Sequence, residues 1–417
     1  MEQPLAGVRV LDLGQIYNGP YCGHLLGWLG AEVIKVEPPG GENSRSRDET
    51  GEPPSIQFLN SNKQGIVLNL KKDDGKQTFK DLVTRSDVLV ENFSPGTMED
   101  LGLGYETLKK ENPGLIYGHS SGYGSSGPYK DYPAMDITIQ AMSGVMHITG
   151  FEDRPPVKAG PAICDILGGA HLTIGIVSAL YQRELTGRGQ YVDVGMLDAM
   201  YPALSSSVAG LVREDDVPPR IGNRHPALER APYNVYATTD GYIAIACVNN
   251  PQWFRLVELM DSDEIREDER FATPAARAEN NEAVDTVVSE WAKQQSRDHA
   301  VERLRENDIP SAPVRTLSEV ITDPHLKARG MIHDAPNASG KGREHVPVPG
   351  LPMAFSESDS PEFSRSPRLG EHTREVLADV VGYSDSKIEA LEKDDVIFPR
   401  PDNTQTSDDP STAHSDE

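Results

Sequence analysis

The sequence predicts an α/β protein whose large domain is an open, doubly wound parallel sheet, accompanied by a smaller α+β domain. Short β-prone runs alternate with helical runs over the first 200 residues. The first such run leads through a glycine-containing turn and a helix into a second strand. The alternation stops near residue 205 and strand-like segments resume after residue 310. Alternating strands and helices are typical of parallel sheets with right-handed crossovers.

The elements of the large domain follow from the pattern of apolar residues. A strand at residues 8–13, a helix at 21–30 and a strand at 32–37 form the first unit. Further strands are predicted at residues 66–70, 88–91, 115–119 and 191–195, with helices at 75–84 and 105–111. Residues 1–205 therefore form the first part of the predicted large domain.

A separate smaller domain is predicted at residues 225–310. A hairpin-like pair of apolar runs surrounds the turn Thr239-Asp240-Gly241, and helical stretches follow at residues 251–259, 275–294 and 296–307. Residues 325–395 are predicted to return to the large domain, which is then discontinuous. Residues 401–417 are rich in Asp, Ser, Thr and Pro and have no aromatic residue, which predicts a disordered acidic tail.

Acidic side chains dominate the composition. The chain of 417 residues has 65 Asp and Glu against 40 Lys and Arg, a formal net charge of -25. Such a surface repels nucleic acid and anionic membranes, so we expect neither as a partner. Because the excess is spread along the chain, we expect a halophilic protein that needs concentrated salt to screen its self-repulsion.

Cysteine and histidine patterns argue against disulfides and metals. The three cysteines form no CxxC pair, which favours a reducing compartment over a disulfide scaffold or a zinc site. His24, His119, His147 and His171 share no ligand spacing, so we interpret them as structural. We find no signal peptide and no apolar window of about eighteen residues, and we therefore expect a soluble, cytoplasmic protein without a membrane span.

Asp165 stands at the start of a long amphipathic helix that ends at Thr186-Gly187. Apolar residues recur along it at spacings of three and four. The first turn of a helix has unpaired N–H groups and a field that favours an anion. On its own, this segment is better explained by an ordinary N-capping aspartate, because Asp is a preferred cap.

Three loops follow predicted strands, where open parallel sheets bind ligands. The loop at residues 14–20 lacks the GxGxxG spacing, which argues against a nicotinamide-dependent dehydrogenase. In the second loop, Asn92 and Phe93 could hydrogen-bond and stack on a purine, or Phe93 could fill the core beneath the turn. The third loop, residues 121–127, is glycine-rich but lacks the lysine of a P-loop.

Taken together, these segments resemble the family III CoA-transferases, also called the CaiB/BaiF family, from residue 5 to about residue 395. Many short motifs occur in one order: Leu11-Asp12 with Gly19-Pro20, residues 29–41, Asn62-Lys63, Glu91-Asn92-Phe93 with Pro95-Gly96, residues 101–103, Ser121-Gly122-Tyr123-Gly124 with Gly127-Pro128-Tyr129, Gln140-Ala141 with Ser143-Gly144, Asp165 with residues 186–190, Asp240-Gly241, and residues 369–373. The resemblance implies a Rossmann-like large domain, a small domain and a homodimer of interlocked subunits.

The resemblance implies that Asp165 is the catalytic nucleophile, attacking the thioester of an acyl-CoA. A carboxylate nucleophile needs preorganised N–H donors around the oxyanion that it generates. We expect two loops to line that pocket, and further residues to bind CoA or substrate. These site residues are Gln15, Ile16, Tyr17 and Asn18, then Gly122, Tyr123 and Gly124, with Lys71, Asn92, Phe93 and Asp136. Asp136 is equally explained as a buried turn acid.

Two positions depart from the family pattern. Tyr17 stands where some members have Gln, and Asp100 stands where some have an Arg for the CoA phosphate. CoA binding must then use other cations, for which the candidates are Lys35, Arg45, Arg47, Lys71 and Lys72. CoA is expected as substrate and product, with no cofactor and no metal.

The expected reaction moves CoA from succinyl-CoA to a small dicarboxylic acid such as mesaconate, as salt-adapted members of the family do. This substrate assignment is an analogy and has no residue behind it. An α-methylacyl-CoA racemase is the alternative enzyme, but Met135 stands where those enzymes place a His base. A non-catalytic CoA-binding protein is a further alternative, which the presence of Asp165 argues against.

Overall fold

The structure, a computed structural model, describes residues 2–213, 218–359 and 361–399. The chain forms two compact units. Of the described residues, the first contains 2–134, 164–199, 324–359 and 361–399, and the second contains 135–163, 200–213 and 218–323. The predicted tail at residues 401–417 lies outside the described residues.

The first unit contains a six-stranded parallel sheet in the order β3-β2-β1-β4-β5-β6. Its strands are β1 (Arg9–Asp12), β2 (Glu32–Glu37), β3 (Lys63–Val67), β4 (Val88–Glu91), β5 (Ile116–Ser121) and β6 (Gln190–Gly195). This order is that of a doubly wound sheet with a switch point between β1 and β4. The predicted α/β class and parallel sheet are confirmed.

The helices of the first unit either connect successive strands or come after β6 in the chain. They are α1 (Asn18–Trp28), α2 (Pro54–Leu59), α3 (Asp73–Val83), α4 (Thr97–Asp100), α5 (Tyr105–Glu111), α8 (Ile163–Thr186), α17 (Pro324–Ala328), α18 (Thr373–Val376) and α19 (Asp385–Lys393). A short antiparallel pair, β10 (Ile332–Pro336) and β11 (His345–Pro349), also belongs to this unit.

The sheet is covered on both faces because successive residues of each strand point to opposite sides. Val10 packs in one hydrophobic cluster and Leu11 in the other. Val88 and Leu89 of β4 divide in the same way. Apolar runs such as residues 88–90 made most strands recognisable from the sequence. Strand β3 begins with Lys63-Gln64-Gly65 and therefore starts three residues before the predicted strand at 66–70.

Helix α8 begins two residues before Asp165, so Asp165 lies in its first turn and not at the N-cap. By length and composition α8 is apolar enough to cross a membrane, since an 18-residue window has a mean hydropathy of 1.7 and 44% of that window is buried. The expectation that the chain lacks such a window is wrong. A helix packed along a sheet needs a similarly apolar composition, and Leu172, Ile176 and Ala179 of α8 lie in the core.

The second unit has an antiparallel sheet of β7 (Tyr233–Ala237), β8 (Tyr242–Ala246) and β9 (Ser311–Pro313). Trp253, Phe271 and Val288 are buried in its core. Its helices are α6 (Asp136–Met142), α7 (Val145–Ile148), α10 (Ser205–Val212), α11 (Asn250–Met260), α12 (Asp263–Glu267), α13 (Pro274–Glu279), α14 (Asn281–Ala292), α15 (Arg297–Glu306) and α16 (Leu317–Val320). Helix α9 (Met196–Met200) spans the boundary between the units in sequence.

The second unit is larger than the predicted small domain at residues 225–310. It takes residues 135–163 out of the predicted first part at 1–205, and it includes residues 200–323. The reason is a backbone pairing that the sequence does not reveal. Phe151 bridges Ile221, and the N–H of Gly222 donates to the carbonyl of Gly150 at 2.8 Å. The chain returns to the first unit at Pro324, next to the predicted residue 325.

Candidate active site

Asp165 is half-buried near the amino end of α8, where the helix field favours its ionised form. The next turn of the helix contains Gly168 and Gly169, which contact α1. A Cβ on Gly168 would lie 2.3 Å from Nδ2 of Asn18, and one on Gly169 would lie 2.5 Å from the Asn18 carbonyl oxygen. Glycine at both positions therefore allows the start of α1 to lie against α8.

The Asn18 carboxamide is the unusual group at this contact. The residue is 2% exposed, and its Oδ1 and Nδ2 have no hydrogen-bond partner among the described residues. Buried polar groups are normally hydrogen-bonded, so an unpartnered amide indicates a place for a polar ligand group. Residues three apart share a helix face, which puts Gly168, and with it the amide, on the side of α8 that carries Asp165.

The loop that precedes Asn18 is fixed by side chains at successive backbone groups. The N–H of Gly14 donates to Oδ1 of Asp12 at 2.7 Å, and Nζ of Lys35 donates to the Gly14 carbonyl at 2.8 Å. The N–H of Gln15 donates to Oδ1 of Asn92 at 2.7 Å, and Nδ2 of Asn92 returns a bond to the Gln15 carbonyl at 3.1 Å. The predicted site residues Gln15 and Asn92 are thus bonded to each other.

Ile16 continues this loop in a strained conformation. Its φ of 66° lies in the left-handed region, which a β-branched residue rarely adopts. Its N–H donates to Oε2 of Glu42 at 3.0 Å, which holds the backbone there. The neighbouring Tyr17 hydroxyl accepts a bond from Nη1 of Arg47 at 3.2 Å. Backbone strain of this kind concentrates at functional sites.

A buried ion pair also holds the same loop in place. Nζ of Lys63 lies 2.7 Å from Oδ2 of Asp12, 2.9 Å from the Pro20 carbonyl and 2.9 Å from Oδ1 of Asn60. Three acceptors match the three N–H donors of an ammonium group. Burial lowers the pKa of Lys63, and the charge of Asp12 opposes that effect. In the sequence, Asp12 and Lys63 stand out only as members of motifs, and their pairing was not predicted. The feature that could have revealed it is a charged residue within a buried strand.

A cavity of about 410 Å³ lies beside this loop and brings together three predicted binding residues, Gln15, Lys71 and Phe93. Leu68 and Leu101 supply apolar wall. An apolar slot with an aromatic ring and a lysine at its edge is suited to a flat ring that carries anionic groups. Phe93 lines this cavity and also packs against the hydrophobic core, so each of the two interpretations describes part of its surroundings.

The cations proposed for phosphate binding divide into two groups. Lys35 is completely buried and bonded to Gly14, and Arg45 is buried with Nε and Nη2 donating to Glu37 at 2.7 and 2.8 Å. Burial would raise the pKa of Glu37, but its bonds from Arg45 lower it. Lys35 and Arg45 therefore stabilise the fold. Lys72 also bonds within the chain, since it donates to the Asp394 carbonyl. Arg47 and Lys71 are exposed and remain the candidates.

The other predicted site residues lie elsewhere. Gly122, Tyr123 and Gly124 follow β5 in the chain and contact the end of β6 and the start of α9. The N–H of Leu197 donates to the Gly122 carbonyl at 3.0 Å, and Gly124 has a φ of 77°. Tyr123 packs edge-on against Tyr129 and Tyr132. In the second unit, Asp136 accepts a bond from Nε2 of Gln140 at 2.7 Å.

No group of three or more His, Cys, Asp or Glu side chains within residues 2–213, 218–359 and 361–399 could hold a metal ion. The described site contains instead one carboxylate at a helix start, an unpartnered buried amide, a rigid loop and an apolar cavity. This arrangement can hold an anionic, ring-bearing ligand and present a carboxylate nucleophile to it.

Comparison with known proteins gives consistent results. The model of CoA-transferase family III matches residues 5–373. A succinyl-CoA:mesaconate CoA-transferase of Haloarcula hispanica is 35% identical over 398 residues, which cover 93% of this chain and 99% of that protein. An acetyl-CoA:oxalate CoA-transferase of Acetobacter aceti is 37% identical over 373 residues, covering 88% of this chain and 93% of that protein. The crystal structure of a CaiB/BaiF family protein from Brucella suis superimposes with a TM-score of 0.81 at 37% identity, covering 91% of this chain and 100% of that one.

Proposed function

Because the chain belongs to CoA-transferase family III, we propose that Asp165 is the carboxylate that carries first the acyl group and then CoA between two acids. The observation that carries the proposal is the position of Asp165 in the first turn of α8, on the helix side where the unpartnered Asn18 amide lies against Gly168. The helix field stabilises the carboxylate, and the amide offers a donor to a reacting oxygen.

The proposed reaction balances through two exchanges. The Asp165 carboxylate attacks the thioester carbonyl of the donor, the C–S bond breaks, and a mixed anhydride and CoA thiolate result. The thiolate then attacks the Asp165 carbonyl of the anhydride, which releases the donor acid and leaves an aspartyl-CoA thioester. The acceptor carboxylate attacks this thioester, the C–S bond breaks, and a second mixed anhydride and CoA thiolate result. The thiolate then attacks the acceptor carbonyl of that anhydride, which gives the new acyl-CoA and frees the Asp165 carboxylate. Each intermediate keeps the energy of the thioester as long as water is excluded.

The rigid loop supplies the electrostatic part of the proposal. A tetrahedral oxyanion forms at each exchange and is best stabilised by donors that need no reorganisation. Side chains hold the backbone at Gly14, Gln15 and Ile16, and the loop leads directly to the Asn18 amide. We assign Asn18 Nδ2 as a donor to the reacting oxygen.

The cavity beside the loop is the proposed site of the nucleotide part of CoA. Phe93 would stack on the adenine, and Lys71 and Arg47 would meet the phosphates. The side chains that fix the loop also define this cavity, since Gln15 lines it and Asn92 bonds to Gln15. Binding of CoA and positioning of the reacting thioester would thus depend on one rigid segment.

Succinyl-CoA is the proposed donor and a small dicarboxylic acid such as mesaconate the proposed acceptor. The support is similarity to a succinyl-CoA:mesaconate CoA-transferase. A relative of similar identity is named for acetyl-CoA and oxalate, so overall identity alone does not select the acids.

A screen of acyl-CoA donors against acceptor acids in concentrated salt, with CoA exchange followed by mass, tests the substrates. We expect new mesaconyl-CoA from succinyl-CoA and mesaconate. Absence of exchange with every dicarboxylic acid would overturn the substrate proposal. Deuterium entering the acyl α-carbon without an acceptor would indicate racemase chemistry instead.

A second copy of the chain is the proposed partner of the exposed face of α8. Ile174, Tyr181 and Leu185 on this helix are 63%, 70% and 72% exposed. Such an apolar stripe on a helix usually marks an interface, and the family resemblance implies a homodimer. Sedimentation in concentrated salt should give twice the mass of the chain, and a monomer at micromolar concentration would contradict this.

We further propose that the protein is cytoplasmic and adapted to salt. The net charge of -25 and three free, buried cysteines support this. Loss of activity on dialysis into dilute buffer would be the expected behaviour.

A further inference from the structure

A second cavity of about 260 Å³ lies in the first unit and includes Glu91, His119 and Tyr191 in its lining. His119 is 2% exposed, and its Nε2 has no hydrogen-bond partner among the described residues. Lys130 and Asp131, which also line the cavity, are exposed, so solvent and protons reach it. The proposed chemistry at Asp165 leaves this histidine unused.

Glu91 connects this cavity to the proposed CoA pocket. Its Oε1 lies 2.6 Å from Nδ1 of His119 and accepts a bond from the Tyr117 hydroxyl at 3.3 Å. Its Oε2 accepts a bond from the N–H of Phe93 at 2.8 Å. Phe93 lines the larger cavity, so one buried carboxylate contacts the histidine on one side and the stacking residue on the other.

We propose that His119 is a positioning residue for acyl-CoA, acting through Glu91 on the turn that presents Phe93. The protonated imidazole neutralises the buried carboxylate and keeps Oε2 in place for the Phe93 N–H. When the proton leaves, Glu91 is a buried charge without a counter-ion, and the turn and the pocket loosen. This inference rests on the proposed function, because it assumes that the Phe93 pocket binds CoA.

The charges around His119 determine the direction of the pH effect. Burial would lower the pKa of His119, but the hydrogen bond and charge of Glu91 raise it above its ordinary value, with contributions from Asp193 and Glu99. Tyr117 and Tyr191, whose pKa values are raised by burial, stay neutral. Lys130 and Asp131 on the cavity wall carry opposite charges. Among these groups, the proton that we expect to be lost as the pH rises is therefore that of His119.

The test is CoA affinity measured by calorimetric titration between about pH 6 and pH 10, a range that brackets a raised histidine pKa. The variants are His119→Gln and a matched control, His345→Gln, at an exposed histidine of β11. We expect the unmodified protein and the control to lose affinity by about tenfold as the pH rises, which one pKa unit of coupling gives. His119→Gln should bind weakly at every pH and show only the small pH dependence that the titration of CoA itself contributes.

Steady-state rates separate positioning from a merely structural role. His119→Gln should raise KM for the acyl-CoA and leave kcat within about twofold, a split that removal of binding alone produces. If His119→Gln does not fold, Glu91→Gln serves in its place. It keeps an oxygen acceptor for Phe93, removes the charge, and should abolish the same pH dependence.

Two failures are distinguishable. If the unmodified protein binds no CoA at any pH, the proposed function fails. If it binds CoA and His119→Gln shows the same pH dependence as the control, the proposed function stands and the role of His119 is refuted.

Discussion

Two buried ion pairs at the end of the parallel sheet behave differently. Asp12 and Glu91 are the last residues of adjacent strands, β1 and β4. Asp12 pairs with Lys63, whose three donors all have acceptors. Glu91 pairs with His119, which lines a cavity and whose second nitrogen has no hydrogen-bond partner in the part of the chain that the structure describes.

The two pairs differ in whether the positively charged partner can lose its proton. A lysine with three bonded protons and no solvent contact keeps its charge and fixes the loop permanently. A histidine beside a cavity can exchange its proton near neutral pH, so the support that it gives to Phe93 is adjustable. We conclude that the carboxyl end of the sheet combines a fixed support for the loop that precedes Asn18 with a titratable support for the proposed CoA pocket.

Breaking the fixed pair should have the largest effect. Lys63→Met leaves Asp12 buried without its counter-charge, and we expect a loss of about 3–5 kcal/mol in the free energy of unfolding. Urea denaturation in concentrated salt measures it.

The control is Lys109→Met, which removes a solvent-exposed pair with Glu106. Exposed pairs within a helix contribute about 0.3–0.5 kcal/mol, so this variant should be nearly neutral. Equal losses in the two lysine variants would contradict the assignment of Lys63 as a scaffold.

A smaller effect tests whether the fixed support keeps α1 against α8. Gly168→Ala places a Cβ 2.3 Å from Nδ2 of Asn18, so the amide must move. We expect destabilisation of about 1–3 kcal/mol from overpacking, together with lower kcat. Gly160→Ala, at an exposed position where a Cβ meets nothing within 4 Å, is the control and should change stability by less than about 0.5 kcal/mol. An unchanged kcat in Gly168→Ala would show that the Asn18 amide does not take part in the reaction.

The smallest effect is the pH dependence of stability from the titratable pair. Because the folded-state pKa of His119 is raised above its unfolded value, its contribution is fully present below the unfolded pKa. That contribution is lost as the pH rises through the folded pKa. We expect about 1.5 kcal/mol, at the lower end for a hydrogen bond to a charged group, because Glu91 keeps its bonds from Tyr117 and Phe93. His119→Gln should lack this loss, and identical pH profiles for both proteins would show that the pair is not titratable.

Much of the fold was accessible from the sequence because most strands contain apolar runs that alternate with helical segments. Residues 32–37 and 88–91 were predicted with the bounds that the structure has. The predicted helix at 275–294 is instead α13 and α14, because the backbone of Asn280 leaves the helical region between them. A local interruption without Gly or Pro gives no pattern signal.

The site was accessible in part. The proposed role of Asp165 came from family resemblance, and the helix start alone favoured an ordinary cap. The pairing of Asp12 with Lys63 joins residues 51 positions apart and depends on the strand order, which local patterns do not specify. For the same reason the sequence does not reveal that His119 contacts Glu91 of the neighbouring strand, the contact on which its proposed role depends.

The central claim is that Asp165 becomes covalently loaded during transfer. The most direct measurement is peptide mass spectrometry after borohydride or hydroxylamine is added during turnover with succinyl-CoA, with Asp165→Ala as the comparison. We predict modification of the peptide that contains Asp165 in the unmodified protein, and loss of both modification and transfer in the variant while CoA still binds. Full turnover by Asp165→Ala, or an unmodified peptide under continuous turnover, would contradict the account.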